Sequence, residues 1–479
     1  MWSEYRNRVI AKKPVVHCIT NYVTVNDCAN ILLGAGASPI MADEIREVEQ
    51  IVDLADALVI NIGTLNQSKV QAMLAAGKKA NKRGIPVVLD PVGVGASDYR
   101  KEVVQTLLGE IDFTIIRGNM SELNVICDFS QKTRGVDAFA YDSLNQKNMS
   151  GQIAKMQQLA RRHSCVIAIS GAVDLVCDQN DSYLIYNGHE TMSRITGTGC
   201  MLTALVGAFV SASEDSLKAT VASFIMMGLA GEKAYDMMDK TASGFATMRN
   251  FLIDGIVSLK DELLDNQAKY LKYRPLDLRL YGITDSNIMK DLNRDTQSSL
   301  KGGVTMLQYR QKEAAWSVKL EEAQVLNRIC RQHNVPLIIN DSLELLESCQ
   351  ATGIHIGQYD GDCREIRSII GDDKIIGVSC HNVEEAIRAQ KQGANYLGIG
   401  AMEATSTKND TIRVSRETLE QILDNVVIPV VVIGGINYGN LSKYPDVNGY
   451  ALISGIFQSD DIEANCQKIR NRIKEVWNA

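Results

Sequence analysis

The chain has 479 residues, too many for one ordinary core, so two or three domains are expected. Its 45% hydrophobic and 22% charged content is globular, and a formal net charge of -7 excludes a general nucleic-acid binder while leaving a local anion site open. The 11 cysteines stand singly, without a Cys-x-x-Cys pair or zinc spacing, and read as reduced thiols of a cytoplasmic protein.

In chain order, "MWSEYRNRVIAKKP" lacks the apolar core of a secretory signal. "VVHCITN", "SPIMA", "ALVINIG", "IPVVLDPVG", "FTIIRGN" and "CVIAISG" are β-branched runs separated by helical stretches such as "NQSKVQAMLAAGKKANKRG". That rhythm predicts an α/β domain over 1–265, a mostly parallel sheet covered by helices. "DLVCD" and "SYLIYNG" then predict a hairpin at the sheet edge. A glycine turn, "RITGTGC", leads into two apolar helices, Met201 to Ser211 and Leu217 to Met238. The longest apolar run, Ala219 to Ala230, is interrupted by Ser223 and is shorter than the ~18 residues of a membrane span. No membrane partner is expected.

Residues 266–277 read as a linker closing at Pro275. From 278 to 479 eight strand candidates follow: "LRLYGIT", "VTMLQYR", "PLIIND", "GIHIG", "KIIGVSCH", "YLGIG", "PVVVIGG" and "YALIS". Alternating with amphipathic stretches, they predict a (β/α)₈ TIM barrel.

Ligands of a parallel α/β sheet bind beyond the carboxyl ends of its strands. In the first domain those ends supply Asp90, Arg117, Asn119, Glu122, Ser170 and the turn Gly197–Gly199. An acidic pair there suits Mg²⁺, Arg117 suits phosphate oxygens, and the amides at the helix start suit an anion. These are the parts of phosphoryl transfer. Cys200 is either a small buried hydrophobe or the group beside an attacking alcohol. A helix N-terminus would favour its thiolate. His17 reads as a core histidine and Asp27 as a helix-start residue.

The motifs "HCITNYVTVNDCANILLGAGASPIMAD", "VINIGTL", "VVLDPVGVGAS", "IRGNMSE" and "TGTGC" resemble hydroxyethylthiazole kinase, of the ribokinase-like superfamily, over 5–262. The resemblance implies a ribokinase-like layered α/β fold, with Cys200 catalytic where most of the superfamily has Asp. It also implies Met41 and Gly197 on the thiazole alcohol, Arg117 and Ser170 on ATP, and Glu122 serving Mg²⁺. Ser170 replaces the more usual Thr and keeps the hydroxyl.

In the second domain Asp341 and Asp360 are acids on adjacent strand-end loops, beside the cations Arg310, Lys312 and Lys408. They read either as an acid/base pair or, given the cations, as a metal–diphosphate site. "VIGGIN" and "ALISG" mark a second anion site after strands seven and eight. His355 reads as packing; for His381 structural, diphosphate-facing and catalytic roles all stand open.

Together "QYRQK", "IIND", "HIGQYD", "GVSCH", "TSTK" and "IGGI" resemble thiamine-phosphate synthase over 278–475. The resemblance implies that Gln308, Tyr309, Arg310, Gln311, Lys312, Asn340, Ser379 and Lys408 bind an aminopyrimidine diphosphate. Asp341 and Asp360 would bind Mg²⁺, and Thr405, Ser406, Thr407, Gly435, Ile453 and Ser454 the thiazole phosphate. "GAMEATSTK" departs from the family, which usually has Pro and Phe at Ala401 and Glu403.

The expected function is therefore bifunctional: ATP-dependent phosphorylation of a thiazole alcohol, then condensation to thiamine phosphate. The partners are small molecules, with a homo-oligomer, a trimer through the kinase domain, implied by the resemblance. A kinase of another small alcohol fused to a phosphate-binding barrel, or a non-catalytic precursor sensor, are the rivals.

Overall fold

The computed structural model describes residues 1–130, 144–403 and 412–478. The chain divides into two compact units, one of Met1–Leu144 with Ser150–Tyr270, the other of Leu271 onward with Asn145–Met149.

The first unit is built on eight strands: β1 (Val15–Ile19), β2 (Ser38–Ile40), β3 (Ala57–Asn61), β4 (Val87–Asp90), β5 (Ile115–Asn119), β6 (Val166–Ser170), β7 (Asp174–Cys177) and β8 (Ser182–Ile185); a ninth strand of the same sheet, β9 (Tyr270–Tyr273), begins at the unit's last residue. Their order is β2-β1-β3-β4-β5-β6-β7-β8-β9. The strands from β2 to β6 pair in parallel; β7 and β8 pair antiparallel, as the hairpin pattern predicts. Every residue of β3 and β4 is buried, because helices cover both faces of a parallel sheet. Register sets the site's geometry: Asn61 lies opposite Asp90, and Asn119 opposite Ser170.

Helix Thr198–Ser211 is apolar nearly all round, helix Ser216–Lys240 is so over Ala219–Ala230, and both fill the core there. Such a helix can exist only inside a protein. A Cβ at Gly207 would stand 2.7 Å from Val59 Cγ2, so a glycine is needed where this helix meets the sheet. The first of the pair begins three residues before the expected Met201, so Cys200 lies within its first turn.

The segment read as a linker, 266–277, contains β9. Four residues with a lysine among three apolar side chains give a weak strand signal. The hairpin is therefore not the sheet's edge; β9 is.

The second unit is a closed barrel of β10 (Leu280–Ile283), β11 (Met306–Tyr309), β12 (Leu337–Asn340), β13 (Gly353–Ile356), β14 (Ile375–Cys380), β15 (Tyr396–Ile399), β16 (Val430–Val432) and β17 (Gly449–Leu452). All neighbours are parallel, and β17 closes on β10. The α/β fold read from the sequence is the fold observed. Among the described residues no helix is long and apolar enough to cross a membrane.

Candidate active sites

In the first unit one polar network joins the strand ends to the glycine turn. Asn61, the last residue of β3, donates from Nδ2 to Asp90 Oδ2 at 2.8 Å and to Cys200 Sγ at 3.3 Å. Asn21, just past β1, donates to Cys200 Sγ at 3.2 Å and to Asn61 Oδ1 at 3.1 Å. The Thr203 hydroxyl, one turn along from Cys200, donates to Asp90 Oδ2 at 2.8 Å. Arg117 Nη1 is 3.9 Å from the same carboxylate, and its Nη2 donates to Ser170 Oγ. Asp90 Oδ1 and Arg117 Nε are buried without a hydrogen-bond partner among the described residues. The sequence reading missed Asn21, Asn61 and Thr203. Asparagines ending two neighbouring strands were the available signal.

The turn needs its glycines. Gly197 has φ 94°, and a Cβ there would stand 2.6 Å from Thr24 Cγ2. A Cβ at Gly199 would stand 2.7 Å from Arg117 Nη1. Met41 is half-buried in the loop after β2, against the same apolar cluster as Cys200.

Electrostatics correct one expectation. Burial raises the Cys200 thiol, with Asp90 adding to the effect and hydrogen bonds from Thr24 and Asn21 opposing it. The shift favours the thiol over the thiolate that its helix position suggested, because desolvation outweighs the helix terminus. Glu122 is buried and pushed up to about 7, by desolvation first and Asp90 second. Its Oε1 accepts Gly93 N–H and its Oε2 accepts Asn119 N–H, both at 2.8 Å. Glu122 therefore closes a capping box on helix Met120–Cys127 and pins the turn after β4. His17 is buried and hydrogen-bonded to Ala42 O at 2.7 Å, consistent with a core histidine. Asp27 stands in the first turn of helix Val25–Ala35, 3.7 Å from Arg249.

In the barrel a cavity of about 160 Å³ is lined by Gln308, Arg310, Asn340, Ser379, Gly435, Ile453 and Ser454 from the sequence reading, and by Tyr281, His355 and His381, among others. Strand alternation decides which residues of "QYRQK" enter it. Gln308 faces inward; Tyr309 is buried the other way, its hydroxyl on Glu322 Oε2 at 2.5 Å, which places it in packing rather than in the cavity. Arg310 Nη1 is 3.7 Å from Asp285 Oδ2. Gln311 is partly exposed, and its Oε1 accepts Glu313 N–H at 3.3 Å. Lys312 is exposed and near enough to lower Asp341.

Asp341 adopts φ 61° and accepts a hydrogen bond from Asn340 Nδ2. Burial and a carboxyl–carboxyl hydrogen bond with Asp360 push it up to about 6. A neighbouring carboxylate at close range disfavours the charged form of Asp341. Asp360 Oδ2 also accepts Gly357 N–H at 2.8 Å. His381 bonds Glu385 Oε2 at 3.0 Å.

His355, read as packing, lines the cavity instead and bonds Ser379 Oγ at 2.9 Å; a mid-strand side chain pointing into a barrel faces its interior cavity. Glu403 accepts from Lys443 Nζ at 2.7 Å and from the Tyr444 hydroxyl at 3.1 Å, a polar tether where the resembling family has Phe. Thr405, Ser406, Thr407 and Lys408 lie outside the described residues.

The hydroxyethylthiazole kinase family model matches residues 7–262. The chain belongs to that family. The thiamine monophosphate synthase model matches residues 280–456. A protein of Symbiobacterium thermophilum, "Thiamine biosynthesis bifunctional protein ThiM/ThiE", is 33% identical over 98% of this chain and 98% of its own. The hydroxyethylthiazole kinase of Clostridium acetobutylicum is 47% identical, covering 57% of this chain and 100% of that one. The solved hydroxyethylthiazole kinase of Pyrococcus horikoshii is 36% identical, with a TM-score of 0.51 over 57% of this chain and 99% of that one. The chain is thus a bifunctional enzyme of thiamine biosynthesis, a kinase domain followed by a synthase domain. Its kinase family implies ATP use and typically a divalent metal.

Proposed function

We propose that the kinase domain moves the γ-phosphoryl group of ATP onto 4-methyl-5-(2-hydroxyethyl)thiazole. The synthase domain then joins that thiazole phosphate to 4-amino-2-methyl-5-(diphosphomethyl)pyrimidine, releasing diphosphate and giving thiamine phosphate. The observation that carries this reading is Cys200 Sγ held by Asn21 and Asn61 in one network with Asp90, beside Arg117. It sets an alcohol-facing group next to an anion-binding one.

In the kinase step Met41 and Gly197 hold the thiazole, Arg117 and Ser170 hold ATP, and the neutral Cys200 thiol orients the alcohol oxygen. A loose phosphoryl-transfer transition state makes little demand on a strong base, so a thiol that keeps its proton suffices to orient the alcohol, whose own proton passes late to an oxygen of the transferred phosphoryl group. The lone Asp90 Oδ1 and the raised Glu122 fit a divalent cation, since each is a buried acid that positive charge would relieve. Mg²⁺ there would neutralise phosphate charge.

In the synthase step Gln308, Asn340 and Ser379 hold the pyrimidine. Arg310, Gln311, Lys312 and Lys408 hold its diphosphate, and Thr405, Ser406, Thr407, Gly435, Ile453 and Ser454 hold the thiazole phosphate. Tyr309 stays with Glu322. The raised Asp341, with the Asp360 carboxylate beside it, is where Mg²⁺ would fit, since positive charge there would relieve their repulsion. Diphosphate leaves the pyrimidine methylene, its charge met by the cations, and the thiazole nitrogen attacks that carbon.

A homotrimer through the kinase domain is part of this reading. Exposed Leu33 and Val257, on helices Val25–Ala35 and Phe245–Ser258 that touch at Gly34, support a self-associating surface. Eleven unpaired cysteines support a reducing, cytoplasmic setting. A crystal soaked with hydroxyethylthiazole, a non-hydrolysable ATP analogue and Mg²⁺ tests the assignments. The alcohol oxygen is expected against Cys200 Sγ and the phosphates against Arg117; an alcohol bound remote from Cys200 would contradict them.

A further inference from the structure

We infer that Tyr396 and His355 are positioning residues of the synthase, making the Ser379 hydroxyl a hydrogen-bond donor into the cavity. This rests on the reading of the barrel cavity as the condensation site. Four hydrogen bonds cross the barrel floor. Gln308 Nε2 donates to the Tyr281 hydroxyl at 2.8 Å. The Tyr281 and Tyr396 hydroxyls are 2.8 Å apart. The Tyr396 hydroxyl lies 3.0 Å from His355 Nδ1, and His355 Nε2 lies 2.9 Å from Ser379 Oγ.

Their direction follows from one fact of chemistry: an amide nitrogen only donates. Tyr281 accepts from Gln308 and, although its side chain lines the cavity, is only 1% exposed. Among the described residues its only other partner is Tyr396, so its single hydrogen goes there. Tyr396, fully buried, passes its own hydrogen to the one partner left, His355 Nδ1. Nδ1 then accepts, and the imidazole hydrogen sits on Nε2 and donates to Ser379 Oγ. The Ser379 hydrogen has no protein acceptor among the described residues and is free for a ligand in the cavity that Ser379 lines. The ligand group it meets is an acceptor, such as a ring nitrogen of a pyrimidine.

The barrel is cut to hold this chain of groups. A Cβ at Gly377 would stand 2.1 Å from the Tyr396 ring and 2.5 Å from His355 Nδ1, and one at Gly398 would stand 3.1 Å from His355 Cε1. Two strands give up side chains to make room for these rings.

The test is a double-mutant cycle in the full chain, with kinase turnover as the internal control. Tyr396→Phe is expected to lower synthase kcat/KM by about tenfold, the scale of one strong hydrogen bond. In a Ser379→Ala background the same change is expected to cost less than about twofold, because the group it positions is gone. Nitrogen-15 chemical shifts of the His355 ring should report hydrogen on Nε2 in the wild type and a mixed tautomer in Tyr396→Phe. Should Tyr396→Phe fail to fold, Tyr281→Phe runs the cycle from the far end, with about a threefold effect that vanishes without Ser379. Equal costs in both backgrounds, or hydrogen on Nδ1 in the wild type, would overturn the inference. A wild-type chain without synthase activity would instead overturn the reading of the cavity beneath it.

Discussion

In the kinase domain the polar groups of the site form one buried network, with Asn21, Asn61, Asp90, Thr203 and Cys200 drawn from strand ends and a helix start. In the synthase domain they divide between an exposed, charged rim, with Lys312, Asp341 and Asp360, and a buried chain on the barrel floor. A group taken from a buried network leaves its partners without bonds and without water. A group taken from a rim leaves partners that water can satisfy. The kinase site therefore links activity to stability, and the synthase rim separates them.

The largest effect tests the rim. Asp341→Ala with Asp360→Ala is expected to lower thiamine phosphate formation by more than about 100-fold, the scale of losing charge stabilisation at a leaving group. Kinase turnover should be unchanged, and synthase-domain stability should fall by no more than about 1–2 kcal/mol, the cost of an alanine at the left-handed Asp341 position. Activity assays and denaturant titration check this together. A loss of kinase activity would break the separation.

Next, Asn61→Ala should lower both properties of the kinase domain. It strips bonds from buried Asp90 and from Cys200, so about 1–3 kcal/mol of stability is expected to go along with most of the phosphorylation rate. Urea unfolding followed by kinase activity reads both.

A subtler consequence concerns pH. Glu122, raised from 4.5 to about 7, keeps in the folded state a proton that the unfolded chain releases at lower pH. Between those two values the folded state binds more protons, so kinase-domain stability falls as pH rises from about 4.5 through 7, by about 3 kcal/mol for this group. Glu122→Gln should lack that slope, and Mg²⁺ should flatten it in the wild type. Denaturation at pH 5 and pH 8 measures it.

Smallest of all, Ser170→Thr keeps the hydroxyl on Arg117 and should change KM for ATP by less than about twofold.

Legibility in the sequence follows the same contrast. Eight β-branched runs at regular spacing made the barrel readable, and strand-end residues such as Gln308 and Ser379 do line its cavity. The glycine turn and Cys200 were readable as a local motif. Asn21, Asn61 and Thr203 were not, because their meeting depends on the pairing of β1, β3 and β4 rather than on any spacing in the chain. The upward shift of the Cys200 thiol was not legible for a related reason: the desolvation and the Asp90 charge that raise it come from distant segments. In the sequence His355 reads as packing because an interior position in a strand is usually core, whereas a barrel's interior can also be the floor of its site.

The central claim is that the product of the kinase domain is the substrate of the synthase domain of the same chain. The direct measurement supplies hydroxyethylthiazole, ATP, Mg²⁺ and the aminopyrimidine diphosphate to the whole protein and follows both phosphorylated products. Thiamine phosphate should form, and the Asp341→Ala, Asp360→Ala protein should accumulate thiazole phosphate alone. A wild-type protein that phosphorylates the thiazole yet never consumes it, or never phosphorylates it, would contradict the account.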